Sequence, residues 1–157
     1  MGSLRFLVDE NVLYQAHDGL NEKGQEDYSA GNLILAIVRK CHKFALDEEL
    51  RMRYRAILKA LESKGRQGQL AVNVSKILSQ VLMKPEKIFE PTSRSVKLPK
   101  EVPDDDRPLV ELAIDSKALF VTTDGRLAVR LGELSVLTKH GLEVLRPEDA
   151  IERASGD

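Results

Sequence analysis

The chain has 157 residues, of which 42% are hydrophobic and 31% charged, and a net charge of −1. This length suits one domain that can bury a core without metal or disulfide staples. The composition excludes a collagen-like repeat and a low-hydrophobicity disordered chain, and the near-zero charge excludes a molecule that attracts polyanions as a whole. The longest apolar run, LILAIV at 33–38, is far short of the roughly 20 residues that a membrane helix needs. The N-terminal MGSLRFLVDENV carries neither a basic patch ahead of a long apolar stretch nor a small-residue cleavage site, so no secretory signal is expected. The expectation is a cytoplasmic protein with no membrane partner, one domain over 1–154 and a frayed tail at 155–157. The single cysteine, Cys41, cannot form an internal disulfide, and beside an apolar helical run it is expected to be a small core residue.

In chain order, LRFLV at 4–8 is a short β-favouring run that ends at Asp9. A helical pattern over 32–41 places apolar residues at 33, 34, 37, 38 and 41. KFAL at 43–46 is a second short strand candidate, and a helix over 48–61 follows an Asp47 N-cap with acids in its first turn. Another helix over 70–83 stops before Pro85, and Ile88 and Phe89 mark a further strand. The span 85–103 holds four of the six prolines, with Ser93, Arg94 and Ser95 between them, and is expected to be a long irregular connection. A helix over 108–116 is primed by Asp106 and Pro108 and leads into a second strong strand, ALFVT at 118–122. LEVL at 142–145 gives a last strand, and Pro147 opens a helix running to about Ala154. Strands alternating with helices argue for an α/β fold with a mainly parallel sheet of about five strands in three α/β/α layers.

Charge is unevenly placed. Residues 39–66 carry a net +5 and residues 101–124 a net −5. Two solvated helix faces of opposite sign would account for this, and so would a cation site beside a phosphate-binding surface. In an open parallel sheet, ligands gather beyond the carboxyl ends of the strands. Asp9 follows the first strand, Asp124 follows the second strong strand, and Asp106 opens the helix leading into it, so all three can face one crevice. Each also has a structural reading: Asp9 and Asp106 as helix caps, Asp124 as the first half of an Asp-Gly turn. Carboxylates that share a crevice either take up protons or recruit cations. An oxygen-only set suits Mg²⁺ or Mn²⁺, whereas no Cys or His spacing here offers a zinc or haem site. His17, His42 and His140 are scattered, and phosphate-binding glycine loops and the G-x-S-x-G motif are missing.

LVDENVL at 7–13, DDDRPLVELA at 104–113 and ALFVTTDGRL at 118–127 resemble, in order and interval, the three acidic motifs of the PIN-domain nucleases. The resemblance covers the chain from Leu4 to about Ala154. It implies a Mg²⁺- or Mn²⁺-dependent ribonuclease in which Asp9, Asp106 and Asp124 are metal ligands, directly or through water. Asn11 and Thr122 or Thr123 match positions that support that family's active site. It also implies RNA as substrate, a toxin with a cognate antitoxin protein or a stand-alone RNA-processing enzyme as setting, and a homodimer as a common assembly.

The family usually carries a fourth acid on the helix after the second strand, and the alignment of ALDEELRMRYRAIL at 45–58 puts Arg53 there. Glu49, one turn earlier, is positioned to replace that acid or to pair with Arg53, and Asp104 or Asp105 offers another substitute. The basic stretch with Arg51, Arg53, Arg55 and Lys59 is a candidate RNA contact that would grip phosphates without reading sequence. Aromatics are only 4% of the chain, so at most a single base stack is expected, from Tyr14, Tyr28 or Tyr54. Two other readings stay open: an inactive RNA- or protein-binding module on the same fold, and phosphoryl transfer through Asp9, the latter weakened because Asn11 stands where a D-x-D signature has its second aspartate.

Overall fold

A computed structural model of the protein describes residues 3–21, 23–63, 69–92 and 97–156; the side chains of 63 and 69–73 lie outside that description. Five strands form one sheet: β1 (Arg5–Val8), β2 (Lys43–Ala45), β3 (Ile88–Phe89), β4 (Leu119–Val121) and β5 (Glu143–Leu145). Every pairing is parallel, and the order is β3-β2-β1-β4-β5. Among the described residues the helices are α1 (Glu10–Asp18), α2 (Ser29–Arg39), α3 (Glu48–Ser63), α4 (Gln69–Val81), α5 (Arg107–Ser116), α6 (Gly125–Glu133), α7 (Ser135–Lys139) and α8 (Pro147–Ser155). The fold is thus α/β, with helical layers on both faces of the sheet.

The central strands are short and, beyond Arg5 and Lys43 at the starts of β1 and β2, apolar on both faces, as parallel strands covered by helices must be. Phe6, Phe44 and Phe120 are each at most 1% exposed, and burying a side chain of this size stabilises the fold by about 2–3 kcal/mol. On one face α5 packs against β1, β2 and β4; elsewhere α2 contacts β2 and α8 contacts β4, with α2 and α8 against each other. His42 ties that arrangement together. Its Nδ1 accepts the Leu4 amide at 3.0 Å and its Nε2 donates to the Ala154 carbonyl at 2.7 Å, so the neutral Nε2–H tautomer joins the start of β1 to the end of α8.

Asp47 caps α3 as its sequence implies, its Oδ1 accepting the Leu50 amide at 2.7 Å. Elsewhere the structure corrects the sequence reading. Two helices were not anticipated, α6 and α7, and α1 was signalled only by the reading of Asp9 as a helix cap. They are short, and α1 and α6 each bury only one stripe, Val12, Leu13, Ala16 and His17 in the first and Leu127 and Leu131 in the second, too few apolar positions to stand out in the sequence. Cys41 is exposed rather than in the core, because it lies in the turn beyond α2 and not on its buried stripe. The proline-rich connection is less irregular than expected: ahead of the expected strand β3 it holds a 3₁₀ turn at Pro85–Lys87, and a second 3₁₀ turn, Asp104–Asp106, follows it. Ser93, Arg94 and Ser95 lie outside the described residues. At the other terminus α8 includes Ser155, one residue into the tail expected to fray.

Lys87 and Arg107 hold the connection in place. Lys87 Nζ donates to the Lys40 carbonyl at 2.6 Å, capping the end of α2. The Arg107 guanidinium donates to the carbonyls of Leu98, Pro99 and Val102 at 3.0–3.2 Å, which fixes the segment that delivers Asp104–Asp106 to the sheet. No helix among the described residues is long and apolar enough to cross a membrane.

Candidate functional site

The strand order reverses at β1: the chain builds outward through β2 and β3, then crosses back to lay β4 on the other side of β1. Loops leaving the carboxyl ends of β1 and β4 therefore diverge to opposite faces and open a crevice between them. Asp9 leaves β1 and Thr122, Thr123 and Asp124 leave β4 at that point. Helix α5 runs back across the sheet into β4, so its N-terminus, with Asp106, lies at the same edge. The N-termini of α1, α5 and α6 all meet there, and their dipoles favour negative charge.

Register sets the local geometry. Val8 is paired with Val121, and the Asp9 amide extends that ladder to the Val121 carbonyl at 2.9 Å. Asp9 is thereby seated beside Thr122, whose Oγ1 donates to Asp9 Oδ2 at 3.0 Å and accepts the Asp124 amide at 3.1 Å. Thr122 is fully buried and Thr123 nearly so. One hydroxyl thus orients the carboxylate of one strand end and the backbone of the other.

The three aspartates are not equivalent. Asp124 is the N-cap of α6, its Oδ1 accepting the amides of Arg126 and Leu127 at 3.0 and 3.1 Å, so the Asp-Gly pair opens a helix instead of forming an isolated turn. Asp9 and Asp106 occupy the N-cap positions of α1 and α5 but make no side-chain capping bond. The Asp9 carboxylate is held instead by the Thr122 hydroxyl, with the Asn11 amide also drawing on it. Burial, foremost, pushes both above the usual aspartate range. At Asp9 the hydrogen bonds from Thr122 and the Asn11 amide pull down against burial, followed by a smaller push up from Asp124 and pull down from Arg53; Asp9, Asp124 and Asp105 push Asp106 up and Arg130 pulls it down. The three aspartates therefore sit in one another's field.

The remaining candidates separate. Glu49 is exposed and lines a small crevice with Asp47, Arg53 and Pro108; neither it nor Asp104 is among the groups that shift Asp9 or Asp106. Arg53 pairs with Glu10, the residue after Asp9, and not with Glu49. Arg55 and Lys59 line a hollow against α4 with Glu62, Ser79 and Met83, away from the aspartates, and Arg51 is half-buried. Tyr54 cannot stack on a base: it is 1% exposed and its hydroxyl donates to the Val8 carbonyl, the last of β1. Burial raises its phenol far above the ordinary value, so it stays a donor. Asn11 and Thr123 border a broad cleft of about 1160 Å³ between α1 and α6, together with Tyr14, Asp124, Arg126, Arg130 and Arg146. The sequence reading missed Glu10 and these arginines. For Arg126 and Arg130 the signal was their i,i+4 spacing just after Asp124-Gly125, legible once a helix is assumed to start there.

Among the described residues, no three His, Cys, Asp or Glu side chains stand close enough to form a ready metal cage. The donor set nonetheless fits a hard cation. Asp9, Asp106 and Asp124 offer oxygen donors only, and Arg53 and Arg130 offset just part of the repulsion among them.

No family model, no curated protein and no solved structure matches the chain.

Proposed function

We propose that the protein is a Mg²⁺- or Mn²⁺-dependent ribonuclease with its site at the β1/β4 edge. One observation supports this reading: Asp9, Asp106 and Asp124, separated by up to 115 residues of sequence, act on one another electrostatically, and burial together with that repulsion raises Asp9 and Asp106 above their ordinary pKa. Asp9, Asp106 and Asp124 would hold the ion, in part through water. A divalent ion held there would supply a more acidic water and charge to offset that on the attacking and leaving oxygens of an in-line displacement. Thr122 orients the Asp9 carboxylate, and Asp105 adds to the negative field on Asp106. No side chain need act as a covalent nucleophile.

The test is cleavage of a fluorescent single-stranded RNA in Mn²⁺, expected to vanish on chelation and in Asp9→Asn. Turnover indifferent to both removes the proposal. The Arg53–Glu10 pair favours a second reading, a module that binds RNA without cutting it, because a cation already stands near Asp9. That reading expects RNA binding to survive Asp124→Asn with no turnover at any metal concentration.

A further inference from the structure

We infer that the cleft between α1 and α6 is a binding track for single-stranded RNA, gripped by Arg126 and Arg130 and lined by the Tyr14 ring; this assignment rests on the ribonuclease reading and deepens it. The cleft of about 1160 Å³ has Asp124 in its wall, next to Thr123 and Gly125, so one of the three aspartates opens onto it directly. Its walls are two helix faces. Asn11, Tyr14 and Asp18 recur at helical spacing along α1, and Arg126, Arg130 and Glu133 along α6.

Charge is sorted along that track. Both helices start at the carboxyl edge of the sheet, so Asp18 and Glu133 lie at the far ends while Arg126 and Arg130 lie near the aspartates. Arg130 is close enough to Asp106 to pull its carboxyl down. Arg126 and Arg130 are exposed and one turn apart, roughly 6 Å along the axis. Arg146 lies over the start of α6: a Cβ at Gly125 would stand 3.3 Å from its Nη1. A polyanion approaching the aspartates is otherwise repelled by them, and guanidinium groups beside the acids are what would hold its neighbouring phosphates. Across the cleft, Tyr14 is 39% exposed and offers the one aromatic face in that lining, which suits an unpaired base and gives no purchase on a stacked duplex. The α3 cations picked out by sequence, Arg55 and Lys59, have no such relation to the acids.

The experiment is fluorescence anisotropy with a labelled single-stranded RNA ten-mer, in an Asp9→Asn background that cannot turn it over, across a salt series. Arg126→Ala with Arg130→Ala is expected to weaken binding at least tenfold and to flatten the log–log salt slope by about 1.4, the value for two lost phosphate contacts on a single strand. Tyr14→Leu is expected to weaken binding about tenfold with the slope unchanged. Arg55→Ala with Lys59→Ala should stay within twofold of the parent. Tyr14, Arg55, Lys59, Arg126 and Arg130 are all exposed, and unchanged thermal melts establish that each variant is folded. The inference is overturned if the parent binds no RNA, if the α6 pair leaves the slope unchanged, or if the α3 pair carries the loss. RNA held by the α6 arginines of a protein that never cleaves leaves this inference standing and removes the hydrolase reading. Cleavage indifferent to the α6 arginines does the reverse.

Discussion

The guanidinium of Arg53 is paired with Glu10, the residue that follows Asp9 in the chain. Arg53, although exposed, therefore stands in the field of the aspartates, and it pulls the Asp9 carboxyl down against the effect of burial. A metal ion entering the crevice would meet a charge of its own sign. Arg53→Met is expected to tighten Mn²⁺ binding severalfold by calorimetric titration, because the aspartates then lack that compensation. Glu10→Gln, which removes a carboxylate and leaves Arg53 without its partner, is expected to weaken it. Affinity that falls in the first variant and rises in the second would refute this account.

The raised pKa values of Asp9 and Asp106 fix the sign of a pH effect. Each carboxyl binds its proton more tightly folded than unfolded, so across the window from the unfolded value near 3.8 up to the raised folded value, folding takes up protons. Stability from these groups is thus greatest below that window and falls as pH rises through it, leaving their cost fully present at neutral pH. Asp9→Asn keeps an acceptor for Thr122 and is expected to raise the urea midpoint at pH 7, with the gain shrinking toward pH 4. Mn²⁺ should raise the melting temperature of the parent and not of Asp9→Asn. A variant less stable than the parent at pH 7 would contradict the sign.

Thr122→Val keeps the shape of the side chain and removes the hydroxyl shared by Asp9 and the Asp124 amide. The loss leaves a partly buried amide without its acceptor and is expected to cost about 1–2 kcal/mol by denaturant unfolding. Without that donor the Asp9 carboxyl rises further, so the acid limb of any pH–rate profile should move to higher pH. Thr122→Ser, which retains the hydroxyl, should recover the position of that limb.

His42 bridges Leu4 and Ala154 through both ring nitrogens and sets its ring edge-on to Phe6 at 5.6 Å. His42→Ala leaves two buried backbone groups unsatisfied and is expected to destabilise the fold by about 2–4 kcal/mol. Cleavage measured well below the melting temperature should be unchanged, since His42 lies at the amino end of β1 and the aspartates at its carboxyl end. A loss of turnover at full folding would place His42 in the site and overturn this assignment.

Much of the fold was legible because it is written locally. Apolar β-favouring runs of two to five residues gave all five strands, and an Asp47 cap or a Pro in the first turn marked α3, α5 and α8. Helices α6 and α7 were not legible, and α1 was signalled only by Asp9 as a cap, since each buries only a few side chains. The three aspartates of the site could be picked from their places at strand and helix ends. Their inequality could not: whether an aspartate caps its helix, as Asp124 does, or leaves that bond unmade, as Asp9 and Asp106 do, depends on a rotamer chosen by neighbours distant in sequence.

The sequence by itself determined the element types, the parallel sheet and the residues that end its central strands, because propensity, patterning and capping act over a few residues. Only the tertiary structure decided who stands beside whom. It gave Arg53 to Glu10 instead of Glu49, buried Tyr54 under Val8, exposed Cys41, and set Arg126 and Arg130 beside the aspartates in place of Arg55 and Lys59. Those outcomes follow from strand order and register, which long-range packing selects and which no stretch of neighbouring residues encodes.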